Sequence, residues 1–250
     1  MANRSALTNT HASMPSALVA HIAATDWRGL EESMTANGYA VLPRLLGPEQ
    51  CREIARFFND EARFRSHIIM ERYAFGRGEY KYFSYPLPEV IDCLRGSLYS
   101  RLAPIANRWH QAMRIKERFP STLIEFRDIC HQAGQRRPTP LLLRYQPNDY
   151  CCLHQDLYGD HVFPFQTALL LDEPGQDFDG GEFLLTESDP KKPGRAEVVP
   201  LCQGDAVIFA VNHRPVRSAR GYYRASLRHG VSRLYRGHRH TLGIIFHDAK

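Results

Sequence analysis

The 250-residue chain contains no apolar run long enough to span a bilayer as a helix, which would need roughly 18 residues. Its first segment, MANRSALTNTHASMPSALVAHIAATDW, has no continuous apolar stretch. No signal peptide is therefore expected there, only a flexible leader over residues 1–20. Cysteine is scarce: Cys51, Cys93, Cys130, Cys151, Cys152 and Cys202 form no CxxC pair. That argues against a disulfide framework and a zinc ribbon, and fits the reduced thiols of a cytoplasmic protein. No repeat is present. Acidic residues are also missing where they would matter. Between Ala206 and His247 there is no Asp or Glu, while Arg214, Arg217, Arg220, Arg224, Arg228, Arg233, Arg236 and Arg239 all fall there, in a chain of net charge +5. The stretch Asp172 to Asp189 is acidic instead. Such a basic segment suits a polyanionic partner, or is simply a solvated arginine-rich loop.

The remainder reads as one domain over residues 21–250. DWRGLEESMTANG predicts a helix with Asp26 as N-cap and Gly38 as its stop, and YAVLP a short strand. GPEQCREIARFFNDEARF predicts a helix with Pro48 in its first turn and Cys51, Ile54, Phe57 and Phe58 on one face. LPEVIDCLRGSLYSRLAPIANRWHQAM predicts one or two helices broken near Pro104, and the glycine- and aromatic-rich segment between has no helical period. From about residue 140 the pattern changes to seven or more short β-rich runs between turn signals. A helical part (about 21–139) packed on an antiparallel β-sandwich or barrel (about 140–247) gives an α+β fold.

Within NDYCCLHQDLYGD, His154 and Asp156 are two residues apart and would share one face of a strand. A pair alone is weak, and an ordinary polar loop can contain it. RHGVSRLYRGHRHTLGIIF adds His229 and, ten residues on, Arg239 with Thr241, again sharing a strand face. Two histidines and a carboxylate occupy one face of an octahedral Fe(II), leaving positions for a chelating co-substrate and dioxygen. Arg239 can pair bidentately with a carboxylate, and the Thr241 hydroxyl can add a hydrogen bond. A zinc site using Cys152 lacks a second cysteine cluster, and a cupin would not explain Arg239 and Thr241.

In this order His154, Asp156, GGEFLL (180–185), QGDAVIFA (203–210), His229, Arg239 and Thr241 resemble the Fe(II)/2-oxoglutarate-dependent oxygenases. RYQPNDYCCLHQDLYGDHVFPFQ with RHTLGIIFHDA is similar to a bacterial oxygenase family described as demethylating damaged nucleic-acid bases. The resemblance implies a double-stranded β-helix (jelly-roll) core with the iron at one open end. His154, Asp156 and His229 would be the ligands, and Arg239 the partner of the 2-oxoglutarate carboxylate. Tyr145 matches a position that bonds the same co-substrate. The implied reaction couples decarboxylation of 2-oxoglutarate to hydroxylation of a C–H bond by dioxygen. One departure bears on the substrate: Arg233 stands four residues after His229, and the Tyr145 region only loosely matches the Asn-x-Tyr motif of alkylation-repair demethylases.

Three functions follow for comparison. A base demethylase of methylated DNA or RNA would use the arginines and their neighbouring tyrosines, with Tyr82 and Arg224 as candidate substrate contacts. A hydroxylase of a peptide, an amino-acid side chain or a small metabolite would ignore nucleic acid. A non-catalytic binding module would have no need of the metal and co-substrate residues. The segment Tyr73 to Tyr85 is either a cover over the site mouth or a packed connector.

Overall fold

The computed structural model of the chain describes residues 14–189 and 192–250. Its helices are Met14–Ala24 (α1), Trp27–Asn37 (α2), Pro48–Arg56 (α3), Glu89–Ala112 (α4) and Leu123–Gln132 (α5). In α2 the Asp26 side chain accepts from the Gly29 amide, and Gly38 closes the helix in the left-handed region at φ +85°. Only glycine occupies that cap without strain. Two expectations fail at the helices. The leader ends sooner, because α1 buries Leu18 and Ile22 against α4, whereas residues 1–13 lie outside the described residues. Nor does Pro104 break α4, which runs uninterrupted. Pro104 sits on the exposed side of a helix that buries Leu102, Ala103, Ile105 and Ala106. The lost backbone bond falls on the solvent face, where bending costs least, while packing holds the other side. The helix α3 is shorter than its apolar pattern suggests. α3 stops at Arg56, and Phe57–Asn59 continues as a 3₁₀ turn.

The strands in chain order are Tyr39–Leu42 (β1), Phe64–Ile69 (β2), Gly76–Arg77 (β3), Glu79–Phe83 (β4), Leu141–Tyr145 (β5), Tyr150–His154 (β6), Phe165–Leu170 (β7) and Phe178–Gly180 (β8). Phe183–Asp189 (β9), Lys192–Val199 (β10), Ala206–Ala210 (β11), His213–Ser218 (β12), Gly221–Val231 (β13), Leu234–Gly237 (β14) and Arg239–Ile245 (β15) complete them. A major sheet has the order β1-β11-β7-β15-β5-β4-β2, and a minor sheet β10-β9-β13-β6-β3, with β12 pairing the first half of β13. All named strand pairs are antiparallel. Together they make the expected jelly roll.

The change at residue 140 is not a clean one: β1, β2 and β4 all belong to the major sheet. EYKYF in β4 is a period-two segment whose buried members are Lys81 and Phe83. Lys81 donates to the Phe58 carbonyl at 2.9 Å and pairs with Glu61, so a buried cation is satisfied inside a strand. The outer face of the major sheet packs on the helices, as Trp109 of α4 meets Phe165 of β7 at 4.7 Å between ring centroids. Its inner face turns toward the minor sheet and leaves a cavity between them.

Candidate active site

Strand alternation decides which side chains reach that cavity. On the major sheet, registers Arg239↔Tyr145, Thr241↔Leu170 and Ile245↔Gln166 place these six on one face. All but Leu170 line a cavity of about 400 Å³. The minor sheet faces them with His154, His229, Phe183 and Val231.

The β13–β6 register sets His229 opposite His154, with ring centroids 4.2 Å apart. Asp156 completes the group, though not as a strand neighbour. β6 ends at His154, and the extended chain beyond it carries the carboxylate. His154 Nε2 lies 3.4 Å from Asp156 Oδ1, and His229 Nε2 lies 3.5 Å from Oδ2. One donor atom from each residue falls within 4.8 Å of the others, a donor set suited to a divalent cation.

The surroundings orient each member. His154 Nδ1–H donates to the Cys152 carbonyl at 2.8 Å, which turns Nε2 toward Asp156. The Tyr158 hydroxyl donates to Asp156 Oδ1 at 2.6 Å. His229 is wedged against Phe209, with centroids 4.6 Å apart. Electrostatics divide the two histidines. Burial opposes the charge on His154, but its bond to Asp156 prevails and raises its pKa to about 11. Burial dominates at the fully enclosed His229 and lowers its pKa. Burial alone would raise the Asp156 carboxyl, yet its bonds to His154 and His229 hold it well below the usual carboxylate range. The cluster thus keeps one positive charge beside a carboxylate, the arrangement a metal cation replaces on binding.

A second polar group closes one end. Arg239 is 2 % exposed and donates from a terminal nitrogen to Thr241 Oγ1 at 2.7 Å. Among the described residues its Nε has no partner, nor does the Tyr145 hydroxyl. Gly181, at φ +65°, leaves room here: a Cβ would stand 2.9 Å from Arg239 Cδ. Gly181 of GGEFLL therefore makes room for the Arg239 side chain.

Tyr82 also lines the cavity, as does Tyr80, both from β4. The segment Tyr73 to Tyr85 is thus a wall of the cavity, held by pairing of β4 with β5 and of β3 with β6. Arg224 does not reach the cavity. It is exposed, and donates to the Met113 carbonyl at 2.9 Å. Arg228 points away for the same reason of alternation, since its neighbour His229 points in. Arg214 is tied to Glu187 at 2.5 Å and to the Thr35 carbonyl. Of the eight arginines between 206 and 247, Arg239 is the one lining the cavity, and the other seven are not part of its wall. Two cavity residues escaped the sequence reading. Tyr158 extends the two-residue spacing of His154 and Asp156, and Gln166 interrupts an otherwise apolar run, FQTALLL.

A profile of the Oxygenase-NA family, described as "Oxygenase, catalysing oxidative methylation of damaged DNA", matches residues 78–249, more than two thirds of the chain. Uncharacterized protein Rv2227 of Mycobacterium tuberculosis (strain ATCC 25618 / H37Rv) is 43% identical over 167 residues, which is 67% of this chain and 72% of that protein. Uncharacterized protein MT2286 of strain CDC 1551 / Oshkosh matches equally. Among solved structures, a Trichoplax adhaerens prolyl hydroxylase in complex with a hypoxia inducible factor peptide fragment aligns with TM-score 0.57 and 12% identity, over 96% of this chain and 94% of that one. A Pseudomonas putida prolyl-4-hydroxylase aligns with TM-score 0.51 and 14% identity, over 90% and 99%. At such identities the likeness is one of fold. The chain thus shares the fold of these prolyl hydroxylases, and it belongs to the Oxygenase-NA family.

Proposed function

We propose that this protein is an Fe(II)- and 2-oxoglutarate-dependent dioxygenase that removes N-methyl groups from damaged nucleic-acid bases. One observation carries the cofactor assignment: a His154–Asp156–His229 donor set in the same cavity as a buried guanidinium. In this reading those three residues hold the iron, and Arg239, Thr241 and Tyr145 hold the co-substrate. The fit rests on the orphaned atoms. A buried donor without a partner costs about 1–3 kcal/mol, and the distal carboxylate of 2-oxoglutarate offers acceptors to Arg239 Nε and the Tyr145 hydroxyl together. When bound, iron with 2-oxoglutarate and dioxygen supplies the oxidation of a C–H bond, giving succinate and carbon dioxide.

The protein's own contribution is orientation and exclusion of water. Cys152 and Tyr158 fix the His154 and Asp156 side chains, and Phe183 and Phe209 enclose His229. Mostly apolar walls keep the reacting centre dry. The family description supports damaged DNA as substrate, and Tyr80 and Tyr82 put aromatic surface on the cavity wall, against which a base can stack. A base must leave its stack to enter such a cavity, so single strands should react better than intact duplex. Hydroxylation of an N-methyl carbon places one oxygen atom in the product. The N–C bond then breaks, releasing formaldehyde and restoring N–H. The test is to incubate the protein with Fe(II), 2-oxoglutarate and methylated single-stranded DNA or RNA, and to measure succinate and formaldehyde. Succinate coupled to peptides or small metabolites, with no formaldehyde from any methylated oligonucleotide, would make it a hydroxylase of those substrates instead.

A further inference from the structure

The cavity has two ends of opposite character. Its major-sheet wall follows β15 from Arg239 to Ile245, about 20 Å of strand at roughly 3.3 Å per residue. The Arg239 end is cationic. At the other end Ile245 pairs with Gln166, and Gln166 pairs in turn with Phe209, the residue against which His229 packs. The ligand His229 is thus linked through Phe209 to the carboxamide end of the wall, opposite the guanidinium end. Gln166 is 4 % exposed, and its Nε2 has no hydrogen-bond partner among the described residues. It is flanked by residues that have nothing to offer it: Phe209, Ile245 and Ala168 are apolar. Arg239 is the one Lys or Arg among the lining residues, and Asp156 the one acid.

A buried polar group of this kind is expensive to keep unless something binds it. A carboxamide presents a donor and an acceptor in one plane, which matches the hydrogen-bonding edge of a base and is the geometry by which glutamine reads adenine. Resting on the base-demethylase reading, we infer that Gln166 is the specificity-determining residue of the substrate end. It hydrogen-bonds the polar edge of an extruded base that enters the cavity. No Lys or Arg lines the cavity beside Gln166, which favours a neutral base edge there over a phosphate.

The variant Gln166→Leu separates recognition from structure, because it keeps the size and removes the orphaned Nε2. The measurement is binding of a single-stranded DNA carrying one N-methylated adenine, and of the same strand without the methyl group. The protein is loaded with Mn(II) and 2-oxoglutarate in the absence of oxygen, and melting temperatures are recorded in parallel. The expected result is a wild-type preference for the methylated strand, weakened at least tenfold in Gln166→Leu, with a melting temperature unchanged or higher. A variant that keeps the preference, or that melts several degrees lower, overturns the role of Gln166 and leaves the demethylase reading standing. A wild-type protein with no preference for any methylated strand overturns that reading and this inference with it.

Discussion

Replacing Arg239 by Met should separate co-substrate binding from folding. The guanidinium is buried, and its one hydrogen bond among the described residues goes to Thr241. Burial lowers its pKa, with Tyr145, Asp172 and Glu182 opposing from nearby. The free protein thus bears an incompletely compensated charge that a dicarboxylate relieves. Truncating one partner of a buried charged pair costs about 2–5 kcal/mol. At about 1.4 kcal/mol per tenfold, the dissociation constant of 2-oxoglutarate should rise roughly 30- to 4,000-fold. Arg239→Lys should recover only part of this, since Lys lacks the planar fork. Calorimetric titration of the Mn(II)-loaded proteins reads the constant directly. Without 2-oxoglutarate the Met variant should melt no lower than wild type, because a chain of similar length replaces a poorly paired charge. The stabilisation that 2-oxoglutarate confers on wild type should be absent. A dissociation constant within threefold of wild type would place the carboxylate elsewhere and refute the reasoning.

Two further outcomes concern stability. Arg95 is fully buried and donates to Asp248 at 2.7 Å, to the Tyr85 hydroxyl at 2.9 Å, and to the carbonyls of Ile245 and Phe246 at 2.9 Å each. It clamps the far end of the strand that begins with Arg239. Breaking such a pair costs about 3–5 kcal/mol, so Arg95→Ala should lower the melting temperature by roughly 6–20 °C; a drop under 2 °C in calorimetry would show the clamp to be dispensable. His247 is buried, and burial pushes its pKa down from 6.5 to about 4. The unfolded chain therefore takes up this proton first as pH falls. The stability is fully present above pH 6.5 and is lost progressively toward pH 4, by roughly 3 kcal/mol for this residue. Urea unfolding at several pH values should show that loss, and a His247→Gln variant should show a flatter profile. An unchanged slope in the variant would assign the acid sensitivity to other groups.

What the sequence made legible was chiefly what spacing encodes. Arg239 and Thr241 are two apart on one strand, and they meet as alternation requires. Asp26 and Gly38 cap α2 from local chemistry alone. His154 and Asp156 also converge, but by a chain that has already left its strand, so the argument from a shared strand face reached the right pair for an incomplete reason. The failures were those where tertiary context decides. Pro104 stays inside α4 because of what its opposite face buries, and Leu18 draws α1 out of the apparent leader. Arginine density said nothing about direction: Arg228 and His229 are neighbours that face opposite sides of a sheet. Gln166 was visible only as a polar residue in an apolar run, and its importance depends on Ile245 and Phe209, distant in sequence, standing on either side of it.

The most direct test is the stoichiometry of products. Wild-type protein with Fe(II), 2-oxoglutarate and oxygen, given a single-stranded oligonucleotide with one N-methylated base, should release formaldehyde and succinate in equal amounts. Asp156→Ala should release neither. Succinate without formaldehyde across methylated DNA and RNA would contradict base demethylation, and equal product release by Asp156→Ala would contradict the metal site itself.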